Sequence, residues 1–377
     1  MELLHSGFDN LDIAFSASLD ETVLHQLHAA QESARLQNRS MSATINGIAF
    51  NVASSGKKGG YAYRADTGPL GEIWSFKVPN NRDAWGIHVS VSALQVALRG
   101  LAKTRSKIEE RLGQLGVTVR PGMESISRVD FAMDFLVPDF EPDPNHFVMH
   151  PRFVRKVHGS LTPFTEAGPS RRIQTVMIGK NPGRQVVVYD KRAEVLSKGK
   201  RQWLEVWNIN RAKQGLPPLD LKDAATSRVW RVELRAYKKH LKEHWKVSTW
   251  WQLQSKLPDI LCGLLDDIRY TEPSADQQRT RWPNHPLWDR AHEVLASDLL
   301  SMQSFASEHQ IMEIQRTELI HMITAQIAGC TITLSALRRE TNLDAFLKKF
   351  SQELMAHYRD DPERTQNKLS KARETYP

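Results

Sequence analysis

Three short segments carry the residues best suited to catalysis, and each alternates polar and apolar residues as a β-strand does. In the first, Arg128–Phe135, Asp130 and Asp134 share a face with only Ala132 between them, while the opposite face is apolar. The gap leaves room for an ion or a phosphate, and a divalent cation would relieve the repulsion between the two carboxylates. A polar sheet face paired with lysines explains the same pattern.

The second segment, Gln185–Lys191, carries Tyr189 on the same face as Lys191. A tyrosine hydroxyl can attack phosphorus, but its pKa of about 10 keeps it protonated at neutral pH. A nearby cation and a proton acceptor would correct this. Tyrosine is also a common strand residue that packs its ring and leaves its hydroxyl at the surface, so a packing role is the alternative.

The third segment, Arg228–Tyr237, places Glu233 between Arg231 and Arg235 on a polar face, and Trp230 leads the apolar face. A structural ladder of glutamate and arginine explains this segment by itself equally well.

Together the three segments supply the groups that phosphodiester transesterification requires. The tyrosine is the nucleophile, a metal ion at the acids would stabilise charge on the phosphate oxygens, and arginine or lysine would bind the same oxygens. Strand alternation leaves open whether Tyr189 leaves the sheet on the same side as the acids.

The surrounding elements predict an α+β fold with a mainly antiparallel sheet, flanking helices and a C-terminal helical module. Residues 11–40 have helical spacing, whereas residues 42–91 alternate and are separated by turn signals. Residues 93–115 predict an amphipathic helix with a basic exposed face. Residues 191–228 predict one helix and a polar loop, and residues from 241 onward are almost all helical.

Length and charge are consistent with a nucleic-acid enzyme. The chain has 377 residues, a net charge of +8 and a pI of about 9.4, which favours a polyanionic partner. Cys262 and Cys330 lie in apolar helical surroundings and are expected to be buried. With no disulfide framework, signal peptide or membrane span predicted, we expect a cytoplasmic protein that does not bind membranes.

At the three segments the sequence resembles the replication initiation factors of rolling-circle plasmids and filamentous phages (the Rep_trans type), with which related relaxases of integrative elements are grouped. The matching stretches, in order, are SRVDFAMDF (127–135), IGKNPGRQVVVYDKRAE (178–194) and WRVELRAYKK (230–239). An upstream stretch, GIHVSVSALQVAL (86–98), is similar to the strand and helix before the family's acidic strand. The resemblance covers roughly residues 45–245.

The resemblance implies a nickase on a degenerate Rep-nickase-like sheet that keeps a 5′-phosphotyrosine link and leaves a free 3′-hydroxyl. Tyr189 matches the nucleophile, and Lys191 and Arg231 are carried over as further catalytic residues. Asp130, Asp134 and Glu233 match the positions that hold a divalent metal, Mg²⁺ or Mn²⁺. The chain lacks the histidine–hydrophobic–histidine metal motif of better-known nickases. His240 and His244 are spaced to bind a metal, but a solvated helix face explains them too.

The predicted domains are an N-terminal helical segment (1–40), a catalytic nickase domain (41–270) and a C-terminal helical region (287–377). The last is expected to dimerise, recognise DNA or recruit a helicase, and the sequence does not choose among these. Aromatic residues between Trp245 and Trp251 suit base stacking, although their helical spacing also suits a core.

The predicted partner is DNA, as origin duplex or hairpin and as single strand. Basic residues on the 93–115 helix, in a glycine-flanked loop and around the tyrosine strand are the expected phosphate contacts. They are Lys57, Lys58, Arg99, Lys103, Arg105, Lys180, Arg184, Arg192, Lys198, Lys200 and Arg201.

Three other functions compete with the replication nickase. One is a relaxase for conjugative mobilisation, which uses the same chemistry. Another is a metal-dependent nuclease in which water attacks and Tyr189 only packs. The third is a non-catalytic DNA-binding protein that keeps the fold and its charge.

Overall fold

A computed structural model describes residues 1–68, 71–80, 82–151, 153–159, 173–297, 299 and 308–375. The chain divides into two compact units, which we call unit 1 (Met1–Ala306) and unit 2 (Ser307–Pro377). No helix in the described ranges is long and apolar enough to cross a membrane.

The framework of unit 1 is an eleven-stranded sheet in the order β2-β3-β4-β5-β6-β1-β7-β12-β11-β10-β9, antiparallel at every described pairing. The predicted α+β class with a mainly antiparallel sheet is confirmed. The strands are β1 (Glu2–Phe15), β2 (Met41–Ile45), β3 (Ile48–Val52), β4 (Tyr63–Asp66), β5 (Ile73–Phe76), β6 (Ile87–Val91), β7 (Glu124–Leu136), β8 (Phe147–Met149), β9 (Arg155–Gly159), β10 (Ile173–Gly179), β11 (Arg184–Asp190), β12 (Val229–Tyr237) and β13 (Ile268–Tyr270). Strands β8 and β13 form a separate pair.

Helices flank this sheet at positions set by local capping. Unit 1 contains α1 (Glu21–Leu36), α2 (Ala93–Gln114), α3 (Lys191–Lys198), α4 (Gln202–Lys213), α5 (Trp250–Asp267) and α6 (Pro286–Leu295). The predicted helix over 93–115 is confirmed as α2, which kinks where Gly100 takes a φ of 71°. Where one helix was predicted in 191–228 there are two, because Gly199 ends α3 in the left-handed conformation that glycine adopts without strain.

The N-terminal strand corrects the prediction that residues 1–40 form a helical segment. Residues 2–15 are β1, and only Glu21–Leu36 is helical. Leu11, Ile13 and Phe15 alternate with polar or small residues, which suits a strand whose alternate side chains are buried. The helix cannot begin earlier than Asp20, whose carboxylate accepts a hydrogen bond from the Val23 amide at 2.8 Å.

Strand β1 lies at the middle of the sheet, between β6 and β7. Its pairing with β7 shifts register at three places, one of them between Phe8 and Asn10. A bulge of this kind adds an extra residue to one strand and redirects its side chain. The extra residue here is Asp9.

The apolar faces of the central strands form the core. Helix α5 packs against β7, β11 and β12, and α6 packs against α5. Leu287 and Trp288 of α6 are fully buried, and the Trp288 indole donates to the Leu265 carbonyl at 3.1 Å. The C-terminal helical region predicted to begin at residue 287 therefore has its first helix inside unit 1.

Unit 2 consists, in its described part, of α7 (Glu308–Leu337), α8 (Leu343–Asp360) and α9 (Pro362–Thr375). The Asn342 side chain caps α8 by accepting from the Ala345 amide at 3.0 Å. The expectation that both cysteines are buried is wrong for Cys330, which is exposed on α7, while Cys262 is half-buried on α5.

Candidate active site

The strand register brings the predicted catalytic residues to one side of the sheet. Tyr189 of β11 lies opposite Arg231 of β12, which lies opposite Asp134 of β7. Directly opposed residues in an antiparallel ladder project from the same face. Tyr189 therefore shares its face with the acids, which alternation within single strands left open.

We call this side the polar face. Its charged and catalytic candidates are His5 and Asp9 on β1, Arg128, Asp130 and Asp134 on β7, Arg231, Glu233 and Arg235 on β12, and Tyr189 on β11.

Arg231 is the most constrained cation of the polar face. Its Nε and Nη2 donate to the two Asp134 oxygens at 2.6 and 2.8 Å, and its Nη1 donates to Asp9 at 2.6 Å. The guanidinium also stacks on the Trp203 ring at 4.2 Å. Although burial disfavours its charged form, the carboxylate of Asp134 holds the Arg231 pKa well above its usual value. The side chain is a fixed, permanent positive charge opposite Tyr189.

Helix α4 covers this end of the polar face with two tryptophans one turn apart. The Trp207 indole donates to Asp134 Oδ2 at 2.8 Å, so that carboxylate accepts three hydrogen bonds. Trp203 lies over Arg231 and contacts the His5 ring at a centroid distance of 5.3 Å. Water is excluded here, which strengthens electrostatic interactions between the enclosed groups.

Lys191 reaches Tyr189 because a helix starts immediately after the strand. The Asp190 carboxylate caps α3 by accepting from the Ala193 amide at 2.8 Å, and Lys191 is the first helical residue. Its Nζ lies 3.5 Å from the Tyr189 hydroxyl and 2.6 Å from Glu194. Burial lowers the Lys191 pKa to about 8, and the Arg231 charge acts in the same direction.

Glu194 connects Lys191 to two surface lysines. Its carboxylate accepts from Lys191 at 2.6 Å and from Lys198 and Lys200 at 3.0 Å each. Burial opposes ionisation of Glu194, but Lys191 and Lys200 hold its pKa well below the usual value. The carboxylate is therefore ionised and fixes the position of the Lys191 amine.

The electrostatic environment of Tyr189 differs from the expectation that a nearby cation would lower its pKa. Burial raises the Tyr189 pKa well above its usual value, and the Arg231 charge opposes this only in part. The hydroxyl is protonated at neutral pH. A reaction at this atom therefore requires a base that takes the proton as the new bond forms.

The predicted metal ligands each have a guanidinium partner. The partners are Arg128 for Asp130, Arg231 for Asp134 and Arg235 for Glu233, with Glu233 held by two hydrogen bonds of 2.7 and 3.0 Å. Within the described ranges, no group of three or more His, Cys, Asp or Glu side chains is placed to hold a metal ion. Arginine pairing takes up the charge and the lone pairs that a divalent cation needs, so this donor set does not fit such an ion.

Asp130 differs from Asp134 and Glu233 because only part of its hydrogen-bonding capacity is used. It is fully buried, and its Oδ1 has no hydrogen-bond partner among the described residues. Burial raises the Asp130 pKa to about 8 despite the nearby Arg128. The carboxyl is largely protonated at neutral pH, which makes it a weak cation ligand.

Comparisons with known proteins give no match in sequence and a weak likeness in structure. No family model matches the chain, and no curated protein matches it in sequence. Among solved structures, the chain is similar to a rolling circle replication initiator protein from Geobacillus stearothermophilus. The identity is 13%, the match covers 79% of this chain and 99% of that chain, and the TM-score is 0.40. A TM-score this low does not show that the two share a fold.

The predicted DNA-contacting residues fall into two groups. The first, which we call the exposed group, is exposed and has no ion pair among the described residues, and it consists of Lys57, Lys58, Lys103, Lys180 and Arg201. The second group is held by protein partners: Arg99 by Glu72, Arg105 by Glu109, Arg184 by Asp267, Arg192 by Ser227 and the Leu221 carbonyl, and Lys198 and Lys200 by Glu194. The exposed group can contact phosphates without breaking an ion pair described here.

Two further sequence candidates have structural roles. His240 is buried, and its Nε2 accepts from the Trp245 indole at 3.0 Å. The His240 and His244 rings stack at 5.3 Å and 10°, so their lone pairs do not converge on one metal. In the WKVSTWW stretch Trp250 is buried, while Trp251 is 73% exposed.

Sequence reasoning missed His5, Asp9, Glu194, Trp203 and Trp207. His5 and Asp9 belong to β1, in a region where the sequence predicts a helical segment. Glu194 follows Lys191 by three residues, a spacing that brings side chains together on a helix. The two tryptophans are four apart, which also places them on one helix face. The last two signals were available in the sequence.

Proposed function

We propose that the chain is a DNA strand nickase and rejoining enzyme that initiates rolling-circle replication, with Tyr189 as its nucleophile. The observation that supports this best is the Tyr189 hydroxyl 3.5 Å from the Lys191 amine, on a residue directly opposite Arg231. Attack by tyrosine on a phosphodiester needs a proton acceptor for the phenol and a cation for the phosphate. Lys191 and Arg231 can supply these two functions.

In the proposed step, neutral Lys191 takes the Tyr189 proton as the phenolic oxygen bonds to phosphorus. The bond from phosphorus to the 3′-oxygen breaks, and the leaving oxygen takes the proton back from Lys191. The products are a 5′-phosphotyrosine and a free 3′-hydroxyl. Rejoining is the reverse of these events. A lysine with a pKa of about 8 is well suited to both directions, since a base works best near the operating pH.

Arg231 would stabilise the charge that develops on the phosphate oxygens. Three of its five N–H groups bind Asp134 and Asp9, and the side chain is buried beneath Trp203, so it would act on the phosphate through its fixed charge and not through direct hydrogen bonds. Because its position is fixed before substrate binds, no reorganisation is needed in the transition state.

The divalent metal expected from the resemblance is not part of this proposal. Its three candidate ligands are paired with arginines, and Asp130 is largely protonated. Mg²⁺ or Mn²⁺ stays a prediction that the experiment below examines in separate arms.

The proposed substrate is DNA, reached through the exposed cations Lys57, Lys58, Lys103, Lys180 and Arg201. Phosphate contacts of this kind give affinity and little sequence preference. Replication initiation and conjugative mobilisation use the same chemistry, so a relaxase role belongs to the same proposal. A helicase partner and a cytoplasmic location also stay predictions.

Covalent capture of DNA tests the proposal. The probe is a pool of random-sequence single strands labelled at the 3′ end, which stays attached to the protein after a 5′-phosphotyrosine forms. The full chain is incubated with the pool in Mg²⁺, in Mn²⁺ and in a chelator, then denatured in detergent and separated on a gel. We expect a labelled protein band from the parent chain.

The matched variants are Tyr189→Phe and Tyr237→Phe, which each remove one hydroxyl. Tyr237 is a buried tyrosine of β12 whose hydroxyl donates to Gln185 at 2.8 Å. We expect the adduct to vanish in Tyr189→Phe and to persist in Tyr237→Phe. The proposal fails if the parent forms no adduct in any arm, or if Tyr189→Phe still forms one. Cleavage without an adduct would assign attack to water.

A non-catalytic DNA-binding protein is the second candidate, and the arginine pairing of all three predicted metal ligands favours it. Such a ladder stabilises a polar sheet face without any reaction. This candidate predicts salt-sensitive DNA binding without cleavage by the parent. Binding should then survive the combined change Asp130→Asn, Asp134→Asn and Glu233→Gln, provided that the variant folds.

A further inference from the structure

A cleft of unit 1 shares no lining residue with the polar face. It lies where the end of α2, the loop of residues 116–122 and the start of α5 meet, and we call it the α2–α5 cleft. Its volume of about 940 Å³ is in the range of ligand pockets. The lining residues that bear on its ligand are Arg105, Gly113, Arg120, Glu124, Trp250 and Trp251.

Trp251 is the lining side chain that packing leaves unexplained. It is the second residue of α5, is 73% exposed, and stacks on no other ring among the described residues. Trp250 beside it is buried, and the Arg105 guanidinium lies 5.8 Å from the centre of the Trp250 ring. An exposed indole offers a flat surface on which a nucleobase of any identity can stack.

The buried end of the cleft favours an uncharged ring over a phosphate. The Glu124 carboxylate is buried there and accepts hydrogen bonds from the Gly122 amide at 3.0 Å and the Trp250 amide at 3.2 Å. The Thr249 hydroxyl accepts from the Gln252 amide at 3.3 Å. These side chains satisfy amides at the start of α5 that would otherwise attract an anion. A phosphate would also be repelled by the Glu124 carboxylate, whereas a base would not.

Cations lie at the rim of the same cleft. Arg120 is exposed and has no ion pair among the described residues. The Arg105 side chain is 41% exposed and holds Glu109 at 2.8 Å. When a base lies against Trp251, the phosphates on either side of it remain outside the cleft, where these two arginines can contact them.

Gly113 keeps the α2 side of the cleft open. Apart from proline, glycine is the least favourable residue inside a helix, and its φ here is not in the left-handed region that would require it. A Cβ added at Gly113 would meet no atom within 4 Å. The fold therefore has room for a side chain at this position, and that side chain would occupy space in the cleft.

We propose that the α2–α5 cleft binds a nucleobase of single-stranded DNA, stacked on Trp251, with the neighbouring phosphates at Arg120 and Arg105. The inference rests on the proposed function only in taking DNA as the partner, and it needs no reaction at Tyr189. Glu124 and Asp134 are ten residues apart on β7, so the cleft lies roughly 33 Å from the Asp134 end of that strand. A stacked single strand covers this distance with about ten nucleotides.

Binding of two matched single strands tests the inference. One is a labelled oligothymidylate of about 20 nucleotides, twice the span above, and the other is an abasic strand of the same length that keeps the sugars and phosphates. Fluorescence anisotropy gives the Kd of each strand for the full chain, in a chelator and with Tyr189→Phe in every protein so that no strand is cut. We expect the thymidylate to bind more tightly than the abasic strand.

Trp251→Ala should weaken thymidylate binding about five- to hundred-fold and leave the abasic strand unaffected, while Trp251→Phe should keep part of the preference. Arg120→Ala should weaken both strands by the same factor, because it contacts phosphate. The inference is overturned if Trp251→Ala leaves thymidylate binding unchanged or weakens both strands equally. Arg120→Ala without effect on the abasic strand would contradict the phosphate contact.

Filling the cleft provides a test that leaves Trp251 in place. Gly113→Leu should abolish the preference for thymidylate, whereas Ala102→Leu should preserve it, because Ala102 is an exposed α2 residue that does not line the cleft. A Gly113→Leu chain that keeps the preference contradicts the inference.

The inference and the proposed nickase activity fail in different experiments. A preference for thymidylate that depends on Trp251, in a chain whose parent forms no covalent adduct, would support the cleft and reject the nickase. An adduct at Tyr189 in a chain whose cleft variants bind both strands normally would reject the cleft alone.

Discussion

The guanidinium of Arg231 and the carboxylate of Asp134 face each other across β12 and β7 and are joined by two hydrogen bonds of 2.6 and 2.8 Å. Their side chains are 1% and 0% exposed, respectively. The pair fixes the position of the positive charge opposite Tyr189. Its formation therefore links the stability of unit 1 to the geometry of the candidate site.

The first prediction concerns this pair. Asp134→Ala leaves the Trp207 indole without its acceptor and the buried Arg231 charge with Asp9 alone, so we expect a loss of about 3–5 kcal/mol in the free energy of unfolding. Asp134→Leu combined with Arg231→Met should lose less, since the one acid left without its cation is Asp9, whose pKa is already raised by burial and which can take up a proton. Urea unfolding of the three proteins measures this. A double variant less stable than Asp134→Ala would contradict it.

The second prediction is a pH profile for adduct formation. The proposed base is neutral Lys191, whose pKa is about 8. The initial rate should therefore rise as pH increases through about 8 and level off above it. Lys191→Met should lose the rise and slow the reaction about 10²–10⁴-fold.

Glu194→Gln provides the control for that profile. The Glu194 charge raises the Lys191 pKa, so its removal should move the midpoint of the profile to lower pH. A midpoint that stays in place, or moves up, would show that another group is the base.

The third prediction is that Lys191→Met stabilises the fold. Lys191 has a pKa of about 8 in the folded chain against an ordinary 10.5, so the unfolded chain binds its proton more tightly. The free energy of unfolding of the parent should rise as pH increases from about 8 to 10.5. The contribution of Lys191 to it is least favourable below pH 8. A shift of this size corresponds to about 3 kcal/mol. Thermal melting across this range should show the rise in the parent and not in Lys191→Met.

The fourth prediction concerns Asp130. Its folded pKa of about 8 lies above the ordinary 3.8, so the folded chain binds the proton more tightly. The stability that this group contributes is complete below about pH 4 and is lost as pH rises toward 8. Asp130→Asn should remove this loss and be more stable than the parent at pH 8, by a few kcal/mol. A variant that is less stable at pH 8 would mean that the Arg128 ion pair outweighs burial.

The fifth prediction concerns divalent metals. Since the candidate ligands are paired with arginines, Mg²⁺ or Mn²⁺ should leave the Tm of the DNA-free chain unchanged. Arg128→Ala frees the nearest carboxylate and serves as the comparison. A clear rise in the parent's Tm with metal would show that the acids exchange arginine for metal.

Much of the site could be predicted from local alternation. Strands β7, β11 and β12 each have an apolar face that must be buried. This determines which residues of each strand lie together on its polar face. The same logic cannot give register between strands. Arg231 and Asp134 are 97 residues apart, so their pairing, and the neutralisation of the acids by arginines, depends on the whole sheet.

The N-terminal strand shows why the remainder was missed. The strong helical pattern of α1 extends the apparent helix upstream into Leu11 and Ile13, although those residues also alternate. Asp9 is placed by a bulge, which depends on the neighbouring strand and leaves no local signature. The sequence pattern therefore does not reveal Asp9, which accepts a hydrogen bond from Arg231.

The position of β1 also has a consequence for how the protein is made. Asp9 is synthesised 222 residues before its cation, Arg231. Strand β1 can pair with β6 first and β7 next, but the polar face is incomplete until β12 has been synthesised. A growing chain that already displays Tyr189 still lacks the charge opposite it. A partly translated or truncated product ending before β12 is thus expected to be inert toward DNA strands.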